Sequence, residues 1–215
     1  MQLYVYDHCP YCVRAMMIFG LKELDVKMNV LLNDDEVTPT NLVGKKVVPI
    51  LIKEDGEAMP ESLDIVNYID THYGTPIVQK DVRPEVEAVL KDITSYSNYL
   101  LMPRFIKLDV PEFATQSAID YFTKKKTEYV GDFAQHMSKT DEYLSRLKLD
   151  LDKLESLVIG GTSLNQSLSL EDILVFPILR NLTCVKGLKF PEKIDNYVKK
   201  MSALSKVNLY TKQAL

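Results

Sequence analysis

The chain has 215 residues, 46% hydrophobic and 26% charged, proportions that exclude collagen-like, fibrous and largely disordered readings. Its longest charge-free run, Ser156 to Leu170, is 15 residues and is interrupted by Gly160, Gly161, Asn165 and Gln166, too short and too polar to span a bilayer, so no membrane partner is expected. The net charge of −4 gives no support to a nucleic-acid partner.

The first residues, Met1 to Tyr4 with Asp7 close behind, do not form the basic and then apolar pattern of a secretory signal, and a cytoplasmic location is expected. Gln2 to Tyr6 alternates and is rich in Tyr and Val, which predicts a strand. Pro10 then opens a helical period carried by Val13, Met16, Met17, Gly20, Leu21 and Leu24. Val26 to Leu32 reads as a second strand. A short helix fits between Asn33-Asp34-Asp35 and Gly44, and Val47 to Ile52 forms a third strand. Asp55-Gly56 turns the chain into Glu57 to Met59, and Pro60-Glu61-Ser62 starts a helix carrying Leu63, Ile65, Val66 and Ile69. The order is βαβαββα, an α/β domain over residues 1–73.

Residues 74–83 have the composition of a linker. The cut also separates charge: residues 1–75 hold 6 Lys/Arg against 12 Asp/Glu, a net of −6, while the rest nets +2. From 84 to 215 every periodic segment is helical, so the fold class is α/β plus all-α. Val86, Val89, Leu90, Ile93, Leu100 and Leu101 share one helix, ended or kinked at Pro103. Leu144, Leu147, Leu151, Leu154 and Val158 form a second stripe, and Ile194, Tyr197, Val198 and Met201 a third. Ser169 and Asp172 make a capping box, a structural feature, before a helix that Pro177 should kink. Lys124-Lys125-Lys126 reads as a solvated face, and Cys184, within Leu182-Thr183-Cys184-Val185, as a buried spectator.

The chemistry is concentrated in Cys9-Pro10-Tyr11-Cys12. A C-x-x-C pair is half of a zinc site or a dithiol redox centre. Zinc needs four ligands, and only Cys184 and the scattered His8, His72 and His136 remain, so no metal is expected. The pair instead lies between a strand and a helix, with Cys9 at the N-cap and Pro10 at N1, where no N–H is needed. A free thiol near pKa 8.5 is only a few per cent ionised at neutral pH. Lowering it by about three units requires about 4 kcal/mol, whereas a helix terminus contributes at most about 2. Cys9 is therefore expected to accept hydrogen bonds from the Tyr11 and Cys12 amides and the Cys12 thiol, with support from Arg14, Lys45 or Lys46. Cys12, one turn in, suits the resolving role. His8 could tune the thiolate, but a lone exposed His is more often a bystander.

Cys-Pro-Tyr-Cys, the Val48-Pro49 step and Glu61-Ser62 together resemble a glutaredoxin active site on a thioredoxin fold. The helical remainder is similar to the carboxyl domain of glutathione transferases. The combination, with runs such as Leu31-Leu32-Asn33-Asp34-Asp35 and Phe176 to Thr183, resembles the large two-domain bacterial glutaredoxins of the glutaredoxin 2 type across essentially the whole chain. The resemblance implies a glutathione-dependent thiol-disulfide oxidoreductase with Cys9 as nucleophile, Cys12 as resolving thiol and a Cys9–Cys12 redox disulfide. It implies that Pro49 is cis, and that glutathione, the co-substrate, is held by Tyr11, Val48, Pro49, Glu61 and Ser62. Read from the residues alone, Pro49 marks a strand edge, start or bulge, and Pro60-Glu61-Ser62 a plain helix start. Expected partners are glutathione and glutathionylated or disulfide-containing proteins, with the chain a monomer. Two rivals share the fold: a cysteine-type glutathione transferase, which would not need Cys12, and a non-catalytic binding protein, in which Cys9 would be inert.

Overall fold

The computed structural model describes residues 1–215. Two compact units emerge. The first comprises Met1–Pro76 together with Leu108–Lys125 and Ser205–Val207; the second comprises Ile77–Lys107, Lys126–Leu204 and Asn208–Leu215.

The first unit is built on β1 (Gln2–Val5), α1 (Pro10–Leu21), β2 (Lys27–Val30), α2 (Val37–Val43), β3 (Ile50–Ile52), β4 (Ala58–Pro60) and α3 (Ser62–His72). The sheet order is β2-β1-β3-β4. β1 pairs parallel with β2, setting Leu3 beside Met28, and antiparallel with β3, setting Tyr4 beside Ile50; β3 pairs antiparallel with β4, setting Ile50 beside Pro60. The period of two sends Leu3 and Val5 into the core, where Ile50, Leu51, Met17, Ile18, Ile65 and Ile69 are also fully buried. α1 packs on α3; of the residues their helical periods predict, Val13, Met17, Gly20, Ile65, Val66 and Ile69 are buried, whereas Met16 and Leu21 are half-buried, Leu63 is exposed and Leu24 lies beyond the end of α1.

Two strands are shorter than their sequence patterns. The apolar run begins at Val47, but β3 begins at Ile50 because Pro49 has no N–H to donate to a ladder. β2 spans only Lys27–Val30; beyond it Leu31 N–H still bonds the Val5 carbonyl at 3.1 Å, and the Asn33 N–H turns to the Glu112 carbonyl at 2.9 Å. That bond ties in the segment from Leu108, which contributes buried Phe113, Ala118 and Phe122 to this unit. At Gly20 the backbone of α1 approaches the Ser205 carbonyl so closely that a Cβ would lie 1.8 Å from its oxygen, a contact only glycine allows.

The second unit is helical: α4 (Pro84–Phe105), α6 (Phe133–Ser138), α7 (Thr140–Leu157), α8 (Leu170–Leu182) and α9 (Glu192–Ser205), with α5 (Gln116–Val130) divided between the units at Lys125. α4 packs against α6, α7 and α8. Pro103 lies within the last turn of α4, and α8 continues through Pro177. The capping box at Ser169 and Asp172 is present and wholly buried. Asp172 accepts the Ser169 amide at 2.8 Å through Oδ2 and the Leu164 amide at 2.8 Å through Oδ1. The same corner holds the segment before α4: Gln79 pairs with Ser169 as an isolated bridge, and Arg83 grips Glu171 through Nε at 2.9 Å and a terminal nitrogen at 2.7 Å. Tyr96 donates to Asp150 at 3.0 Å, and Arg104 to the Leu100 carbonyl at 2.7 Å, so both are packed within this unit. No helix is long and apolar enough to cross a membrane.

Candidate active site at the amino end of the first helix

The strand directions gather the site. β1 runs toward one end of the sheet and delivers Cys9 there through a four-residue loop; β3, antiparallel, starts at that end just after Val48-Pro49; β4 finishes at that end with Pro60, and Glu61-Ser62 follow. With neighbouring strands about 4.8 Å apart, the three segments leave the sheet within about 10 Å of one another. The Val48–Pro49 bond is cis.

Cys9 is the N-cap of α1, with extended backbone (φ −73°, ψ 119°), and Pro10 occupies the first helical position. All three cysteines are free thiols; Cys9 is partly exposed, and Cys12 and Cys184 are buried. Cys9 is lowered from the ordinary 9.0 to about 6. The largest cause is the hydrogen bond from the Cys12 thiol; the charge of His8 and the Cys12 and Tyr11 amides add to it, and together they outweigh the opposing burial. Cys12 is pushed well above its ordinary value, first by burial and then by the negative sulfur beside it. Its sulfur also accepts the Tyr6 N–H at 3.4 Å. Burial pushes Cys184 up to about 12, which leaves it unreactive.

His8 is not an exposed bystander. It is 7% exposed, with Nδ1 2.7 Å from Glu112 Oε1 and its backbone N–H 2.8 Å from the same oxygen. The ring stacks on Tyr6 and on Phe113, at centroid separations of 5.9 and 5.0 Å, with Phe122 edge-on. His8, not Lys45 or Lys46, is the leading cation acting on Cys9. Lys45 pairs with Glu61 at 3.3 Å, and Lys46 donates to the Asn33 carbonyl at 2.7 Å while lying over the Tyr121 ring. Arg14 lies over the Tyr11 ring, 4.7 Å from its centroid, and interacts with the Cys9 charge. Glu112 carries no local sequence signal, since it lies 104 residues from His8.

Tyr11 is 55% exposed and stands beside the thiol on the first turn. Glu61 holds φ +73°, a conformation unusual outside glycine, and its carbonyl accepts the Ile65 amide at 3.0 Å. Ser62 begins α3 and is buried. Strained non-glycine backbone of this kind persists where surrounding structure enforces it and is concentrated at binding sites. No group of three or more His, Cys, Asp or Glu is arranged to hold a metal ion.

Comparison with known proteins agrees with this geometry. Residues 3–77 match the family description "Glutathione S-transferase, N-terminal domain", and residues 85–214 match "Glutaredoxin 2, C terminal domain". The chain is 44% identical to glutaredoxin 2 of Escherichia coli K12 over 215 residues, covering 100% of both. The crystal structure of glutaredoxin 2 from Salmonella typhimurium in complex with glutathione superposes with a TM-score of 0.97 at 43% identity, covering 100% of this chain and 98% of that one. Glutathione transferase Omega 3C from Trametes versicolor shares the fold alone, at a TM-score of 0.59 and 16% identity over 97% of this chain and 84% of that one. With 44% identity over the full length of both chains and the same fold at a TM-score of 0.97, the chain belongs to the glutaredoxin 2 family.

Proposed function

We propose that the protein is a glutathione-dependent thiol-disulfide oxidoreductase in which Cys9 is the nucleophile and Cys12 the resolving thiol. The observation that carries this reading is the opposite displacement of two thiols one helical turn apart, Cys9 down to about 6 and Cys12 upward. At neutral pH about 90% of Cys9 is thiolate, next to a buried partner that keeps its proton.

The Cys9 thiolate attacks the glutathione sulfur of a mixed disulfide. The Cys9–glutathione bond forms, the old S–S bond breaks, and the released thiolate takes a proton from solvent. A second glutathione thiolate then attacks that adduct, restoring Cys9 and leaving glutathione disulfide. With a protein disulfide the first adduct joins Cys9 to the substrate. Capping Cys9 removes its negative charge, and with it two of the causes that hold Cys12 protonated. Cys12 then loses its proton, attacks the Cys9 sulfur and expels the second substrate thiol. Two glutathione molecules supply the two electrons that reopen the Cys9–Cys12 disulfide.

Glutathione lies across the end of the sheet. The Ser62 amide and hydroxyl at the start of α3 take the γ-glutamyl carboxylate, and Glu61 meets the amino group. Val48, fixed ahead of cis Pro49, offers its backbone to the cysteinyl part, and Tyr11 packs alongside. Residues 1–73 act as the redox domain, 74–83 as the linker and 84–215 as the helical domain. The protein works as a cytoplasmic monomer on glutathionylated and disulfide-containing proteins. Assaying reduction of a glutathione mixed disulfide by Cys9→Ser and Cys12→Ser variants tests the assignment: loss in the first with retention in the second supports it, and activity in Cys9→Ser overturns it.

A further inference from the structure

Glu112 is a buried carboxylate with a single client. It is fully buried, yet its side-chain bonds go to one residue: Oε1 takes both the amide N–H and the imidazole Nδ1 of His8, and Oε2 meets no donor. A buried carboxylate is costly unless its partner compensates for it, so this one is explained by what it does to His8. The two bonds fix different things. The amide bond holds the loop that delivers Cys9. The ring bond puts the proton on Nδ1 and, with the Tyr6 and Phe113 stacking, sets the plane of the imidazole.

The charges facing this corner come from every neighbouring element. Tyr6 lies on the same loop, Cys9, Cys12 and Arg14 on α1, Asp35 just before α2, Glu112 in the turn at Pro111–Phe113, and Tyr121 on α5. Among them the pair is polarised in one direction. The charge of His8 falls on Cys9, whereas the negative charge of Glu112 falls on Cys12.

We propose that Glu112 is a positioning residue of the redox centre, which acts through His8 to set the imidazole charge against the Cys9 sulfur and its own charge against Cys12. This rests on the functional reading above, since it concerns how the attacking thiolate is kept. Cys9 and Cys12 are thereby driven apart by the His8 imidazole and a carboxylate 104 residues further along the chain, rather than by a local lysine.

The test is the rate of alkylation by iodoacetamide as a function of pH in the intact protein, which reports Cys9 because Cys12 and Cys184 are buried. Glu112→Gln keeps an oxygen for both His8 donors and removes the charge. The expected result is a midpoint raised by about one pH unit and an alkylation rate at pH 6 about fivefold lower. His8→Phe, which keeps the aromatic stack, should give a similar rise, and adding Glu112→Gln to it should give no more. An unchanged midpoint in folded Glu112→Gln, or a second full rise in the double variant, overturns the proposal. If Glu112→Gln does not fold, His8→Phe decides alone, an unchanged midpoint being the contradicting result. A wild-type midpoint near 8.5 would instead remove the functional reading itself.

Discussion

The hydrogen bond from the Cys12 thiol to the Cys9 sulfur is the largest cause that lowers Cys9 to about 6, and after burial it is the largest that pushes Cys12 upward. It divides the labour between them. Replacing Cys12 with Ser leaves a hydroxyl that can still donate, so the variant should reduce glutathione mixed disulfides within a few-fold of wild type while losing reduction of protein disulfides. Cys12→Ala removes the donor, and the Cys9 midpoint should rise by about one unit or more. Steady-state assays on the two substrate types, with an alkylation titration of each variant, check both outcomes.

Stability should depend on pH through the same pair. Below about 6, Cys9 is protonated in both folded and unfolded chains and contributes nothing. Between about 6 and the ordinary 9.0 the unfolded thiol binds more proton than the folded one, so stability rises with pH. The full shift corresponds to at most about 4 kcal/mol, less because the sulfur is partly solvated. Above the ordinary value Cys12 acts the other way, since the unfolded chain releases a proton that the folded chain retains. Urea titrations of reduced wild type and Cys9→Ser should therefore diverge as pH rises from 6 to 9.

Gly20→Ala should destabilise the protein although alanine is the better helix former by about 1 kcal/mol. Its Cβ would sit 1.8 Å from the Ser205 carbonyl oxygen, and backbone cannot swing aside as a side chain does. The clash outweighs propensity, with a net loss of about 2 kcal/mol, read as a lower urea midpoint.

Asp172→Ala leaves the Leu164 and Ser169 amides without their acceptor in a buried site. At about 1–3 kcal/mol for each stranded group, the loss should be about 3 kcal/mol. Because this corner lies in the second unit, the Cys9 alkylation midpoint should stay at its wild-type value while the thermal midpoint falls.

These cases also mark what the sequence made legible. Cys9, Pro10 and Cys12 could be read directly because a helix N-terminus is a local event, written in consecutive residues. The shortened β3 follows from the missing N–H of Pro49, equally local. The His8–Glu112 contact was not legible, since it joins residues 104 apart and Pro111-Glu112-Phe113 has no pattern that singles out its carboxylate. The left-handed backbone of Glu61 was hidden for a different reason: glutamate has no preference for that conformation, which surrounding structure imposes. Lys45 and Lys46 were credible supports for the thiolate by charge, but their positions are set by Glu61 and Asn33.

The central claim, that Cys9 is the thiol that takes up glutathione, is tested most directly by weighing the intact protein. Reduced Cys12→Ser protein mixed at pH 7 with glutathione disulfide should gain one glutathione per chain, mapped by peptide digestion to Cys9. No adduct, or an adduct at Cys184 with Cys9 left free, would contradict the account.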